Sequence, residues 1–198
     1  MTGQSGEILM NPESLNTIFR EQYAQNDEWI EKFLSNSQVG HVASRWENQP
    51  FLTPVLFWYA PTGRRIYFHT NLYGRLRTNS ERFPEVCFET SEIGKYLPSN
   101  IAGEFSVQYA SVVVFGKIRI VESPEEKEFG LMGLLRKYFP DLKAGVDYRP
   151  ITREELDQTA VFCIEIEQWS GKKNWAEQVH QDEQWQPLDQ RVLRKYGF

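Results

Sequence analysis

Cysteine is scarce in this chain of 198 residues, which contains only Cys87 and Cys163. Both lie inside apolar runs, and they do not form a CxxC pair. Two such thiols indicate a reducing compartment, and their spacing does not support a metal site. The three histidines, His41, His69 and His180, form no close-spaced ligand pair either, so we expect no bound metal.

Long apolar segments are also missing. No run approaches the roughly 20 residues that a membrane-spanning helix needs. Residues 1–7 are too polar for a secretory signal. These absences predict a cytoplasmic protein that does not contact a membrane.

Positive charge is in deficit, since the formal net charge is −5. A general nucleic-acid-binding protein needs a clustered positive surface, so we expect no nucleic-acid partner. The G-x-G-x-x-G fingerprint of dinucleotide-binding folds is absent too. Aromatic residues, by contrast, make up 14% of the chain. That surplus suits a subunit interface or a pocket for a ring-shaped ligand.

The hydrophobic pattern predicts a mainly β protein with flanking helices. A helical spacing covers residues 12–34, with a possible break at Asn26 and Asp27. Further helices are predicted over residues 74–82 and 124–138. Six short strands rich in β-branched and aromatic residues are predicted at 39–44, 51–59, 65–69, 86–90, 111–122 and 161–169.

Close spacing and tight turns predict that these strands form an antiparallel sheet curled into a barrel. Pro54 lies inside a predicted strand, which indicates an edge position or a bulge. We divide the chain into a helical lead-in over 1–35, a barrel domain over 36–169 and a polar C-terminal arm over 170–198.

A positive island interrupts the acidic chain between residues 64 and 82. Five arginines and a single acid, Glu81, give it a local balance of +4. Here a predicted strand ends at His69, Thr70 follows, and a helix begins near Gly74. Free N–H groups at a helix start, the Thr70 hydroxyl and the Arg75 guanidinium suit a phosphate. The alternative is a strand-to-helix connection with solvated arginines.

The sequence around this island resembles a known family. The segments GHVAS, TPVLFWY, GRRIYFHTNLYGRLRTN, PEVCFE and ASVVVFGKIRIVESPEEK occur in the order and spacing of the pyridoxamine 5′-phosphate oxidase-related FMN-binding proteins. The similarity is greatest to the branch that includes nitroimidazole-resistance proteins, and it covers roughly residues 38–140. It implies an antiparallel split β-barrel of the FMN-binding type and a homodimer with FMN in a groove between the subunits.

The resemblance also implies roles for individual residues. The strand segment beside the flavin ring, whose backbone would bond the polar edge of the ring, comprises Thr53, Pro54, Val55, Leu56 and Phe57. His69 and Thr70 end the strand that meets the ring and the phosphate chain. Gly74 lets the backbone approach the phosphate, and Arg75 and Leu76 stand where the family has a basic pair.

Two more site residues follow from the resemblance. Ser111 stands at a position where the oxidase has a polar ligand contact. Trp169, reaching in from the partner subunit, resembles a tryptophan that flanks the flavin. The alternative for Trp169 is an anchor in the core or the interface.

The sequence departs from the oxidase itself at several positions. Leu76 replaces the second basic residue of the pair, and Leu52 and Phe57 stand where the oxidase has an arginine and a lysine. The C-terminal substrate motif of the oxidase is missing, and SGKKNW occupies residues 170–175. The chain is therefore not expected to oxidise pyridoxamine phosphate.

The sequence leaves several functions open. The leading hypothesis is an FMN-dependent oxidoreductase, with FAD as a possible cofactor, that passes electrons to a small organic acceptor. No residue is assigned a catalytic role, because the flavin carries the redox chemistry. The alternatives are a flavin-binding or sensing module without turnover, or a split barrel for another ligand such as haem or a deazaflavin.

Overall fold

The computed structural model describes residues 15–197. Eight strands form one antiparallel sheet: β1 (Ala24–Gln25), β2 (Val39–Trp46), β3 (Gln49–Leu56), β4 (Trp58–Ala60), β5 (Arg65–Thr70), β6 (Glu85–Leu97), β7 (Ser106–Ile120) and β8 (Ala160–Asn174). Five α-helices flank it: α1 (Asp27–Asn36), α2 (Arg75–Arg82), α3 (Pro124–Tyr138), α4 (Arg153–Asp157) and α5 (Gln190–Leu193).

The sheet closes on itself as a barrel. Its strand order is β3-β2-β6-β7-β8-β5-β4, and β1 pairs with β8. The first and last strands of this order, β3 and β4, are separated in the chain by Phe57 alone. Because one residue joins the two ends of the order, the sheet must curl until β3 and β4 come together at Phe57, although these two strands do not pair with each other. The predicted mainly β split-barrel fold is confirmed.

The barrel interior holds the larger of two hydrophobic clusters. Alternate residues of each strand point inward, as pleating requires. Val42, Phe57, Phe68, Phe88 and Val112 are therefore completely buried. The smaller cluster, which includes Tyr67, Val161 and Cys163, lies on the other face of β5 and β8, with Leu131 of α3 packed against it. The two faces of β5 thus belong to different clusters.

The helix expected over residues 12–34 is correct only in its second half. The helix begins at Asp27, and Asn26 caps it by accepting the Trp29 N–H at 2.9 Å. Residues 12–14 lie outside the described part of the chain. Leu15 and Phe19 remain 70% and 64% exposed, so within the described residues this side of the expected helix gains little packing.

The strand expected over residues 51–59 is divided at Phe57, because β3 and β4 lie at opposite ends of the strand order. Pro54 does lie on an edge strand, where its missing N–H removes no interior ladder bond. The last strand continues beyond the boundary set at residue 169 and ends at Asn174. The three-part division of the chain otherwise stays a prediction.

The longer helix α3 begins as the sequence indicates. Ser123 caps α3 by accepting the Glu126 N–H at 3.3 Å, with Pro124 in the first turn. The C-terminal segment folds back along the β6–β7 hairpin, where the Asn100 amide accepts the Asp182 N–H at 2.8 Å and donates to the Asp182 carbonyl at 2.9 Å. Between residues 15 and 197, no helix is long and apolar enough to cross a membrane.

Candidate functional site

The start of α2 offers uncapped backbone donors beside open space. Gly74 is the N-cap residue and has no side chain that could bond the first N–H groups. The Thr70 hydroxyl donates to the Asn71 carbonyl at 3.1 Å, so it does not cap the first N–H groups of α2. A Cβ placed on Gly74 would meet no atom within 4 Å. An anion can therefore approach the positive end of the helix.

Arg75 is the unpaired member of the arginine island. Within residues 15–197 its guanidinium has no hydrogen-bond or ion-pair partner and is exposed. The other four arginines have polar partners, namely Asp27 for Arg64, Tyr67 for Arg65, Glu81 for Arg77 and Glu47 for Arg82. The island therefore keeps one guanidinium available for an external anion.

Two aromatic rings of the β2–β3 hairpin hold Arg75 in place. Its guanidinium carbon lies 5.3 Å from the centre of the Phe51 ring and 5.9 Å from that of the Trp46 ring. Because Phe51 belongs to β3, this contact brings the helix start to the edge strand predicted to run beside the flavin. Neither ring was foreseen, since the contact joins residues that are distant in sequence.

Neither Leu76 nor Arg77 supplies the second basic side chain that the family pair has beside Arg75. Leu76 is 6% exposed and packs in the barrel core, so its side chain faces away from the open space. Arg77 donates to the Glu81 carboxylate at 2.9 Å and to the Leu72 carbonyl at 3.3 Å. Arg75 is therefore the single charged contact that this helix start can offer.

The predicted ring-binding segment forms an edge. β3 is the last strand of the order, so alternate main-chain groups along its outer edge lack a strand partner in the described residues. Val55 and Phe57 are buried, Thr53 is half-buried, and Pro54 and Leu56 are exposed. This edge can bond a polar ring through backbone groups while its inward side chains stay in the core.

His69 lies on the other face of β5 from Thr70. Thr70 shares its face with Ile66 and Phe68, which fill the barrel, whereas His69 shares its face with Tyr67. His69 lines a cavity of about 490 Å³ against α3. The other lining residues are Leu131, Leu134, Leu135, Tyr148, Arg149, Ile151, Glu155 and Thr159.

This cavity has an apolar wall and a few polar groups. Burial lowers the pKa of His69, so its ring is neutral near pH 7. In the described part of the chain, His69 has no hydrogen-bond partner. Arg149 donates to both oxygens of Glu155 at 2.9 and 2.7 Å and neutralises that carboxylate. The cavity suits a largely apolar ligand that can use a free imidazole nitrogen.

Ser111 lies apart from the Arg75 end of the barrel. It is half-buried on the outer face of β7, in register with Ser91 and Lys172. Thr53, by contrast, shares the inward face of β3 with the buried Val55. The place of Ser111 at a flavin stays a prediction.

Trp169 packs within its own chain. It is 6% exposed, and its indole N–H donates to Asp27 at 2.8 Å. The Arg64 guanidinium lies 4.4 Å above the ring, and the Tyr59 ring lies 6.2 Å away. These contacts agree with a core anchor, the alternative considered for this residue.

Two residues near the site were not singled out from the sequence. Lys137 and Tyr138, at the end of α3, both bond the backbone of Phe57. No local pattern links them to β3, since about 80 residues separate the partners.

Among residues 15–197, no group of three or more His, Cys, Asp or Glu side chains is placed to hold a metal ion.

A comparison with family models gives one match. The pyridoxamine 5′-phosphate oxidase model matches residues 26–173, which is most of the chain and includes every candidate site residue. No curated protein matches the sequence.

Several solved structures share the fold. Flavocytochrome Anf3 from Azotobacter vinelandii is 24% identical with a TM-score of 0.75, covering 87% of this chain and 78% of that chain. A FAD and haem binding protein from Mycobacterium smegmatis is 20% identical with a TM-score of 0.67, covering 87% and 79%. A protein from Bacteroides thetaiotaomicron described as a 5-nitroimidazole antibiotic resistance protein is 22% identical with a TM-score of 0.61, covering 76% and 90%.

Proposed function

Since the chain belongs to the pyridoxamine 5′-phosphate oxidase family, we propose that it binds a flavin, FMN first, and works as an oxidoreductase. The observation that carries the proposal is the unpaired Arg75 guanidinium at the uncapped start of α2. A flavin phosphate needs this combination of backbone donors and a bidentate cation.

The ring of the flavin would extend from this phosphate site along β3. The outer edge of the strand offers backbone donors and acceptors to the polar edge of the ring. Phe51 keeps Arg75 beside this strand. The protein then binds and orients the cofactor, and the bound flavin supplies the redox chemistry.

The phosphate site alone does not distinguish FMN from FAD. Both FMN and FAD carry a phosphate next to the ribityl chain, so Arg75 would serve either. The relatives from Mycobacterium smegmatis and Mesorhizobium loti are described as FAD-binding. FAD is therefore the second form to test on the same site.

A homodimer would cover the outer face of the sheet. Apolar side chains on this face remain exposed, among them Leu52 at 67%, Leu56 at 55%, Val39 at 45% and Ile93 at 63%. Exposed apolar side chains on one sheet face are typical of an interface between subunits. Ser111 lies on the same face, so a partner could bring it to a flavin.

The electron acceptor would be a small organic molecule. Pyridoxamine phosphate is not proposed, because Leu76 is buried and Arg77 is paired where that oxidase has a second basic contact. A reductase should oxidise NADH or NADPH once a suitable acceptor is present. A flavin-binding or sensing module should not turn over under any such condition.

The test is the absorption spectrum of the freshly purified protein, followed by chromatography of the ligand that heat releases. Flavin bands and released FMN or FAD are expected. A colourless protein that also takes up neither added flavin would contradict the proposal. Steady-state assays with NADH, NADPH and quinone or nitro acceptors then separate an enzyme from a module.

A second candidate is a haem beside the flavin, and His69 is the observation that favours it. Two similar structures are described as a flavocytochrome and as a FAD and haem binding protein. The neutral, unbonded imidazole of His69 could ligate haem iron, and the leucines of α3 could contact the porphyrin. A haem would supply one-electron chemistry. Haem titration of the purified protein, followed by its Soret band, tests this candidate.

A further inference from the structure

The C-terminal end of α3 bonds the point where the chain passes from β3 to β4. The Tyr138 hydroxyl accepts the Phe57 N–H at 3.0 Å. The same oxygen lies within donor distance of the Gln38 and Phe57 carbonyls. The main-chain N–H of Phe57 therefore depends on a side chain that is 81 residues away.

Lys137 adds a charge to this point. Its ammonium group donates to the Phe57 carbonyl at 2.9 Å and to the Leu34 carbonyl of α1 at 3.4 Å, and it lies 3.8 Å above the Phe57 ring. No carboxylate within residues 15–197 forms a salt bridge with it. Burial lowers the pKa of Lys137 to about 8.

Such an arrangement is costly for packing alone. A partly buried ammonium group without a counter-ion is unfavourable, whereas a leucine or methionine of similar length would fill the same space. The Tyr138 hydroxyl carries a single proton and lies closer to the Gln38 carbonyl than to that of Phe57, so Lys137 is the donor to the Phe57 carbonyl. The lysine therefore provides something other than burial of apolar surface, namely a fixed position for the Phe57 peptide.

We propose that Lys137 and Tyr138 are positioning residues for the flavin. Phe57 alone joins the two ends of the strand order, so the peptide that they hold sets where the segment from Thr53 to Phe57 lies. This segment is the edge along which the flavin ring is proposed to bind. The inference thus rests on the proposed function and adds two residues that do not touch the cofactor.

Three variants test the proposal. Tyr138→Phe removes the hydroxyl, and Lys137→Met removes the ammonium group while keeping the stem. Lys127→Met is the matched control, because Lys127 lies on the same helix and also donates to two carbonyls, those of Leu156 at 2.9 Å and Thr159 at 3.1 Å, away from β3. Fluorescence titration gives the Kd for FMN, and thermal unfolding reports the fold.

Both Phe57-directed variants should raise the Kd for FMN on the order of 10-fold, as expected for a lost hydrogen bond to a charged or shared group. The control should leave it unchanged. In the wild-type protein, the Kd should also rise as the pH passes the pKa of Lys137, and this dependence should be absent in Lys137→Met. The other ionisable group at this point is the Tyr138 phenol, whose pKa is raised by burial, so it stays protonated over that range.

The failures are distinguishable. If the wild-type protein binds neither FMN nor FAD, both the proposed function and this inference fall. If the wild type binds FMN and both variants keep its Kd and pH dependence, only the positioning role is wrong. Should Lys137→Met not fold, Tyr138→Phe and the wild-type pH titration decide.

Discussion

The two faces of β5 differ in chemistry although they alternate along one short strand. The face that carries Thr70 also carries Ile66 and Phe68, which fill the barrel core, and only its Thr70 end leads to the open helix start and the free Arg75 guanidinium. The face that carries His69 meets α3 and lines an apolar cavity. Neighbouring residues of one motif therefore serve two separate spaces, and one strand can lie between two ligands.

His69→Ala gives the largest effect that would separate these faces. If haem binds in the cavity, the variant should lose the Soret band that haem addition produces in the wild type, because the axial ligand is gone. The Kd for FMN should stay within about twofold, since the side chain points away from Arg75. Titrations with haem and with FMN on the same preparations check both halves. Equal loss of both ligands would show that the two faces form one site.

Arg75→Ala is the reciprocal change. It should raise the Kd for FMN by about 10- to 150-fold, because a charge-assisted hydrogen bond is worth about 1.5–3 kcal/mol. Haem binding should not change. Arg77→Ala, which removes an arginine already paired with Glu81, is the control and should have little effect. Fluorescence titration measures the Kd for FMN of both variants, and the Soret band measures haem binding. An unchanged Kd for FMN in Arg75→Ala would remove this residue from the site.

The sequence predicted the fold better than it predicted the grouping of the site. Alternating hydrophobicity and turn residues predicted the barrel strands, and Ser123 and Pro124 predicted the start of α3. The helical spacing before Asn26 was misleading, because periodicity does not reveal whether a partner surface exists. The ends of β6, β7 and β8 were also underestimated, since their outer halves are stabilised by pairing rather than by local pattern.

The site was predictable where the signal was local. The strand end, Gly74 and the arginine island lie within a few residues of one another, and Arg75 is the residue left free. Trp169 and Leu76 were placed at the cofactor by resemblance, yet both are buried in the core of their own chain. Contacts made by the fold, such as Arg75 on Phe51 and Lys137 on Phe57, had no sequence signal. The cytoplasmic location stays a prediction.

Disruption of the proposed dimer tests whether one chain supplies the whole flavin site around Arg75. Ile93→Glu, outside the proposed flavin segment, places a charge on the exposed outer sheet face and should convert a dimer to a monomer in light scattering. FMN binding should weaken with it, by roughly tenfold if about 1.4 kcal/mol of contacts come from the partner. Leu142→Glu, at a similarly exposed leucine in a loop, is the control. A monomer that holds FMN as tightly as the wild type contradicts a groove shared by two subunits.

The pH dependence of stability gives the smallest effect and tests whether the Lys137 ammonium group beside the Phe57 peptide is partly buried. Lys137 has a pKa of about 8 in the folded protein against an ordinary value of 10.5. Between these values the unfolded chain binds more protons, so this lysine makes the free energy of unfolding rise with pH. Cys163 acts in the opposite sense above pH 9, because burial raises its pKa to about 11.

The comparison of wild type with Lys137→Met isolates the lysine, since Cys163 is present in both. Between pH values of about 7.5 and 9.5, the wild type should gain on the order of 1 kcal/mol relative to the variant. This is less than the limit of about 1.4 kcal/mol per pH unit, because the ammonium group keeps some solvent contact. Urea unfolding at a series of pH values measures the difference. Parallel curves would mean that the ammonium group is solvated. They would contradict the partly buried charge that we assign beside the Phe57 peptide.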